Sequence, residues 1–407
     1  MVNRTISGRG YVILFGAICA LGPLSIDMGL TGVPLLEREF ARQAGDGALT
    51  LSLFLVGFCV TPLLSGLVAD RFGRRYTLLV SLALYAIAAL ACAISSDFPS
   101  LLLSRTMQGA AAGACVVLPF SIIRESLAGE SARAYMANLT AVVGLAPLVA
   151  PLVGGLISQA YGWRAVHFTQ LALAAGIGLG VLLALPETLP ANMRTEISIS
   201  SAIRRCAALL RNNLFIASTL IYSACFSVMF VFISATPAVF TAHYGVSGLE
   251  FSMLICLISG AAFFGSLTTS VLGQRGCADI NIIWVGCIGI TSCLAVAVIL
   301  QAIAPLPLWI IVLCMTTVIY LFGLVSPAAT HSAMLATSQD RGTASGLIRT
   351  VQMVFSASLG LGLSAMYQHI APLSAALLLM SFGSLCALIA YRMLTKAMRT
   401  PLSAQAR

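Results

Sequence analysis

Charge is what this sequence lacks. Its 407 residues include 22 Lys or Arg and 13 Asp or Glu, so charged residues make up 9% of the chain against 59% hydrophobic. Soluble domains carry about a quarter charged residues. So few charges cannot clothe a water-facing surface of this size, and most of the surface must face lipid. That excludes a sizeable aqueous enzyme domain and nucleic-acid recognition. Lysine is nearly missing: Lys396 is the sole one, and it follows Thr395 without a glycine-rich turn. No P-loop ATPase lies in this chain. The 12 cysteines contain no C-x-x-C pair and fall mostly inside apolar runs. There they act as small soft hydrophobes, not as a disulfide framework or metal set. His167, His243, His331 and His369 are too scattered for a metal centre, and neither HExxH nor G-x-S-x-G occurs. The expectation is a protein that is not an enzyme and takes no metal or cofactor.

What is present is apolar length. A spanning helix needs roughly 20 apolar residues, so twelve of them would use about 240. Apolar runs predict spans near 11–33, 48–69, 77–95, 99–123, 135–159, 164–185, 214–238, 249–272, 281–302, 307–329, 343–367 and 371–393. The expected fold is all-α integral membrane, with twelve transmembrane helices in two six-helix halves. The first half covers 1–190, a cytoplasmic linker 191–213, the second half 214–394 and a cytoplasmic tail 395–407. Arg4 and Arg9 precede an apolar run from Tyr11 that continues past Pro23 to Val33. That is too long for the apolar region of a signal peptide, so an uncleaved first helix is expected.

The formal net charge of +9 sets topology and does not grip a polyanion. With the N-terminus inside, the cytoplasmic face holds Arg4, Arg9, Arg71, Arg74, Arg75, Arg124, Arg133, Arg194, Arg204, Arg205, Arg211, Arg275, Arg341, Arg392, Lys396, Arg399 and Arg407. The outer face holds only Arg38, Arg42 and Arg164. This asymmetry places both termini in the cytoplasm. Arg204, Arg205 and Arg211 in the longest loop fit a surface helix on anionic headgroups, or a plain connector with a solvated basic face. Gly66–Arg75 aligns without gaps with Ser266–Arg275, keeping Leu, Gly and Arg after the second span of each half. An internal duplication is the expected origin. Gly176-Ile-Gly-Leu-Gly180 lies mid-span with no preceding strand, which fits close helix approach better than a nucleotide loop.

Asp27, in Gly22-Pro-Leu-Ser-Ile-Asp-Met28, is the only acid well inside a predicted span, and Arg105 is the matching base. An ionisable group there is costly to insert, so a functional role is the default expectation. At 1.5 Å rise per residue the two lie at similar depth, about 9 Å below the outer end. The pair is expected to meet across an internal cavity. It reads either as a permanent salt bridge or as a proton-coupling pair, since burial and a neighbouring cation act in opposite senses on a carboxyl group. A substrate binding beside Asp27 would then compete with its proton. A membrane potential contributes about 2.3 kcal/mol per charge per 100 mV, so one entering proton supports roughly fifty-fold uphill export.

The loop Gly66-Leu-Val-Ala-Asp70-Arg71-Phe-Gly73-Arg74-Arg75 is the most specific motif. Gly73 permits a tight turn. Asp70 ends a helix at its negative pole and should seek a cation or another helix's N-terminus. Asp70, Arg71, Arg74 and Glu125 are expected to form a cytoplasmic gate network that docks on the second half. The alternative is that Arg74 and Arg75 are orientation signals only. Pro147 and Pro151 bend span five while Gly154 and Gly155 allow close contact, suiting either an inter-half helix or packing alone. Tyr222, Phe226 and Phe230 follow helical spacing in span seven. They form either an aromatic cavity wall or a core- or lipid-facing stripe. His331 and Arg349 are further candidates with ordinary packing or headgroup contact as the alternative.

These motifs together resemble the major facilitator superfamily, and within it the bicyclomycin-resistance (Bcr/CflA) group of drug–proton antiporters. Gly66–Arg75 is similar to the signature between helices two and three. Arg105-Thr-Met-Gln108-Gly109 with Gly113 is similar to the helix-four motif, whose Arg is tied to proton transfer. Ala146-Pro147-Leu-Val-Ala150-Pro151-Leu-Val-Gly154-Gly155 resembles the antiporter motif of helix five, with Ala150 where the general pattern has Gly. Pro186-Glu-Thr-Leu-Pro190 and Pro23-Leu-Ser-Ile-Asp-Met28 are typical as well, although Gly29-Leu30-Thr31 replaces the usual Tyr-Leu-Pro. The resemblance implies a twelve-helix fold with a central cavity, alternating access, and export of drugs or metabolites in exchange for protons. The implied partners are a small-molecule substrate, protons and membrane lipid, with no nucleic acid, in a monomer of the bacterial inner membrane. A proton-coupled uptake symporter or facilitator on the same fold is the alternative function. A non-transporting membrane receptor or enzyme is disfavoured by the lack of a soluble catalytic domain.

Overall fold

The computed structural model describes residues 9–127, 129–190, 192, 194, 199–246, 248–337 and 341–399. Arg4 and Arg407, used above for orientation, lie outside these residues. So do the side chains of Arg9, Arg124, Arg133, Arg341 and Arg399. The described elements are helical: α1 (Arg9–Glu39), α2 (Ala48–Phe72), α3 (Arg74–Ala93), α4 (Phe98–Ser126), α5 (Gly129–Tyr161), α6 (Trp163–Ala184), α7 (Ile199–Arg211), α8 (Asn213–Thr236), α9 (Gly248–Gln274), α10 (Asp279–Ile303), α11 (Leu308–Leu335), α12 (Arg341–Met366) and α13 (Pro372–Arg399). A π-helical turn, Pro237–His243, continues α8. All but α7 are long and apolar enough to span a bilayer, giving twelve spans. The all-α, twelve-span architecture is the one expected.

Two compact units form. One comprises Met1–Ile199 with Ser247–Cys256, the other Ser200–Val246 with Leu257–Arg407. The start of α9 therefore belongs with the first unit, where the Cys256 thiol donates to the Leu148 carbonyl of α5. Local chemistry sets the helix ends. Gly73, at φ +104°, turns the chain between α2 and α3, a backbone conformation that a Cβ resists. The Asp97 carboxylate caps α4 by accepting the Ser100 amide at 2.8 Å, beside a proline at the first turn, where its missing N–H costs nothing. The outer end of α1 runs six residues beyond expectation, through Pro34 to Glu39. The Glu37 carboxylate, buried there, accepts the amides of Gly45 and Gly47 at 2.8 Å each and ties the following loop to the helix.

In each half the second and fourth spans pack at backbone contact. A Cβ on Gly57 of α2 would run into the Thr106 carbonyl of α4, and one on Gly109 into the Phe54 carbonyl. In the second unit a Cβ on Gly265 of α9 would meet the Tyr320 carbonyl of α11, and one on Gly323 the Ala262 carbonyl. These are the second and fourth spans of each half, so the same close approach occurs twice, as an internal duplication would leave it. Small residues drive such contacts because apolar side chains gain little by leaving lipid. The close approach expected of the Gly176–Gly180 run occurs at one of its three glycines, where a Cβ on Gly180 would lie 3.1 Å from Leu14 Cδ1 of α1. Gly176 and Gly178 are not sites of tight helix approach: nothing lies within 4 Å of a Cβ built on Gly176, and only Leu82, at 4.0 Å, is near one on Gly178. Leu14 of α1 and Ile177 and Gly180 of α6 line a groove of about 650 Å³.

Candidate functional site

In the first unit, Arg105 projects from α4 one turn above Gln108. The arginine residue is 2% exposed. Nη1 donates to Gln108 Oε1 at 2.7 Å and Nη2 to the Ser25 carbonyl of α1 at 3.3 Å. The ring of Phe54 lies under the guanidinium at 4.8 Å, a cation–π contact strengthened by the absence of water. Gln108 passes the network to α6, its Nε2 donating to Gln170 Oε1 at 2.8 Å, and Gln170 Oε1 also contacts His167 Nδ1 at 3.1 Å. The Ser25 hydroxyl bonds the Tyr85 hydroxyl of α3 and donates to the Leu21 carbonyl. Ser25, Tyr85, Arg105, Gln108, His167 and Gln170 are all buried. A polar network this deep holds its helices in one register, because an unmatched polar group in low dielectric is costly.

Asp27 is not part of it. Its side chain is buried, but it makes no ion pair with Arg105, which corrects the expectation that the two meet. The reason is angular. Successive residues of a helix are about 100° apart, so Ser25 and Gly29 share one stripe while Asp27 lies nearly opposite Ser25. Arg105 faces the Ser25–Gly29 stripe, with a Cβ on Gly29 only 3.7 Å from its Nη2. Asp27 is left without a hydrogen-bond partner among the described residues. Helix rise matched the depths of the two charges, and helix rotation separates them.

The cytoplasmic loop motif does assemble. The Arg74 guanidinium bonds Asp70 at 2.6 Å and Glu125 at 2.7 Å, with a weaker contact to the Gly66 carbonyl at 3.5 Å. Arg75 Nη2 donates to the Leu182 carbonyl at 2.6 Å. Arg71 is exposed and pairs with no described carboxylate, so the network contains three of the four residues expected of it. Asp70 finds its cation within its own loop. Sequence reading missed the acid that organises this corner. Glu187 accepts the backbone amides of Arg74 at 2.8 Å and Arg75 at 3.3 Å, an anion at the positive end of α3. It also accepts the amides of Thr188 and Leu189. The second unit has a related pair at the start of α10, where Asp279 contacts His331 of α11 at 2.6 Å.

The glycines of helices four and five are packing devices. Gly109 and Gly113 seat α4 on α2, and Gly154 meets the backbone of Met28 on α1. Gly155 faces Ser252 of α9. Pro147 and Pro151 sit within α5, which continues through both.

Of the span-seven aromatics, Tyr222 and Phe226 lie 6.4 Å apart, and Phe226 stands edge-on to Phe322 of α11 at 5.8 Å. Tyr222 and Phe230 are both buried and belong to the core, so Phe226 alone of the predicted stripe is partly exposed. Beside Tyr222 stands Arg349 of α12, whose Nη1 donates to the Tyr222 hydroxyl and to Gln352 Oε1, both at 3.3 Å. Arg105-Thr-Met-Gln108 and Arg349-Thr-Val-Gln352 thus share the pattern Arg-Thr-x-Gln and one Arg-to-Gln bond, in two different helices.

Twelve spans in two units, with charge held inside the helices, define a multi-pass membrane protein. The chain belongs to the Major Facilitator Superfamily, whose description matches residues 13–361. It is 29% identical over 343 residues to the uncharacterized MFS-type transporter YdgK of Bacillus subtilis (strain 168), spanning 82% of this chain and 83% of that protein. It is 28% identical over 262 residues to the multidrug resistance protein MdtL of Salmonella typhimurium, spanning 64% and 66% respectively. Among solved structures, the human organic anion transporter MFSD10 (TETRAN) superposes with a TM-score of 0.70 at 18% identity, covering 95% of this chain and 99% of that one. A bacterial homolog of the human lysosomal transporter Spinster, inward-facing and occupied, gives 0.71 at 15% identity, covering 98% and 99%. Those two share the fold. The chain is a multi-pass transporter of the bacterial inner membrane.

Proposed function

We propose that this transporter exports a small amphipathic molecule, drug or metabolite, from the cytoplasm by proton antiport with alternating access, as a monomer of the Bcr/CflA type. The observation that carries the reading is Asp27: a buried intramembrane acid with no partner among the described residues, free to exchange a proton as its surroundings change. The multidrug resistance name of a relative matched across 66% of its length supports export, as does the helix-five motif. Arg105 acts indirectly in this reading. It holds the α1 backbone at Ser25, two residues from Asp27, and so fixes where the acid points. The Asp70–Arg74–Glu125 cluster with Glu187 serves as the cytoplasmic gate corner. Asp27→Asn is expected to abolish proton-driven transport while leaving membrane insertion intact. Inside-out vesicles with an acidic lumen, so that the proton gradient points outward, give the check, through substrate uptake coupled to proton release from the lumen. Retained pH-dependent transport by that variant, or substrate movement in the opposite sense, would sink the reading.

A further inference from the structure

We propose that Arg349 anchors an anionic group of the transported molecule, an aromatic carboxylate in the simplest case. The second unit forms this site alone, from Arg349 and Gln352 of α12, Tyr222 and Phe226 of α8 and Phe322 of α11.

Depth comes first. Arg349 is eight residues into α12 and Tyr222 nine residues into α8, about 12 and 13 Å along their axes. Arg349 is nevertheless exposed. Its guanidinium does not reach back toward the near end of α12, where a headgroup would be. It bonds Gln352, a turn deeper, and the Tyr222 hydroxyl of the neighbouring helix. Nor does it share the apolar outer face. Val354 and Leu361 are exposed on α12, and at about 100° per residue they lie 120–140° round from Arg349. Gln352 and Ser356, on Arg349's own side, are buried, with Ser356 bonded to Ser227 of α8 at 2.8 Å. An exposed charge at this depth, turned toward α8, needs water or a ligand.

Counter-charge comes second. From residue 200 onward the chain holds three acids, Glu250, Asp279 and Asp340. Glu250 lies in the segment that belongs to the first unit, and Asp279 is taken by His331. Asp340 precedes α12 and lies outside the described residues. No described carboxylate pairs with Arg349. Among the described residues only its Nη1 is hydrogen-bonded, so the Nε–Nη2 edge, the fork that fits a carboxylate by two parallel bonds, is open. Arg105 makes the contrast: the same Arg-to-Gln bond, but with Nη2 consumed by the Ser25 carbonyl and the side chain sealed.

Shape comes third. Tyr222, Phe226 and Phe322 step away from the guanidinium as a ladder of rings. Tyr222 and Phe322 are buried and fix the ladder, and half-buried Phe226 is the ring that a flat apolar body attached to the acid would meet. Gln352 Nε2 is buried without a partner among the described residues, a second donor next to the arginine.

This inference rests on the transport reading, and its test separates the two. Purified full-length protein in phosphatidylcholine nanodiscs is titrated with 1-naphthoate and with 1-naphthylmethylamine, an aromatic cation of similar bulk. Naphthoate is expected to bind about tenfold or more tighter than the amine. Arg349→Gln should remove that preference, Arg349→Lys should keep part of it, and Tyr222→Phe should weaken naphthoate binding several-fold. Equal binding of naphthoate to wild type and Arg349→Gln overturns the proposal. So does naphthoate binding that phosphatidylglycerol in the disc abolishes in an Arg349-dependent way, which would make the site a lipid headgroup contact. Unfolding is controlled by requiring Arg349→Gln to keep the wild-type melting temperature and elution profile. A cationic drug exported with proton release by a protein indifferent to naphthoate would sink this proposal and leave the transport reading standing.

Discussion

At the residue scale, the chain places its few charges in three different states. Among the described residues, Arg105 is closed in by protein acceptors, Asp27 is buried without a hydrogen-bond partner, and Arg349 is open on one edge. The first state was half legible. Arg105 and Gln108 are three apart, so their bond follows from helix geometry. Its onward link to Gln170 and His167 was also readable, as a second polar pair three apart inside a span. The Asp27–Arg105 meeting failed because depth alone was weighed. The 200° between Ser25 and Asp27 was available from the sequence and decides which face the arginine sees. Glu187 was not legible as a helix anchor, being 113 residues from the amide it accepts. It also yields a clean prediction. Glu187→Gln removes an anion from the start of α3, a loss of about 1 kcal/mol, and should lower the melting temperature of the solubilised protein by a few degrees. A melting temperature unchanged within one degree would show that α3 does not depend on this cap.

At the element scale, the helices are ordered by their glycines more than by their prolines. α5 runs through Pro147 and Pro151, tolerated in a membrane because neighbouring groups can re-satisfy freed carbonyls. Glycines whose Cβ would strike a backbone carbonyl have no such freedom. Gly109→Val would force α4 off α2, with overpacking costs of about 1–3 kcal/mol or more, and Gly323→Val should do the same to α11 against α9. Gly66 gives the counter-case. It stands in the most specific motif of the sequence, yet nothing lies within 4 Å of its would-be Cβ. Gly66→Ala should therefore fold like wild type, and size-exclusion profiles of the three variants would separate these expectations. A monodisperse, full-yield Gly109→Val protein would contradict the packing account. Sequence motifs marked which glycines matter as a group but not which are pinned, since that depends on how closely the partner helix approaches.

At the scale of the whole molecule, the number and type of spans were legible because twelve apolar runs leave no other solution. The ends were less so, and α1 exceeded its predicted limit because buried Glu37 caps a loop from within the helix. Orientation can be read directly. Cys277 is an exposed thiol between α9 and α10, on the side that the arginine distribution places in the cytoplasm. A membrane-impermeant maleimide should label it in inside-out vesicles and not in intact cells, and labelling of intact cells would reverse the topology. The open arginine of α12 has an electrical consequence as well. A carrier whose binding site holds one uncompensated positive charge is charged when empty and neutral when it holds an anion. The arginine's share of the loaded crossing is then insensitive to voltage, leaving only the charge that Asp27 carries. The empty return of the carrier would carry current, and a negative-inside potential, at about 2.3 kcal/mol per charge per 100 mV for a full crossing, would draw the vacant site back toward the cytoplasm to collect its next cargo.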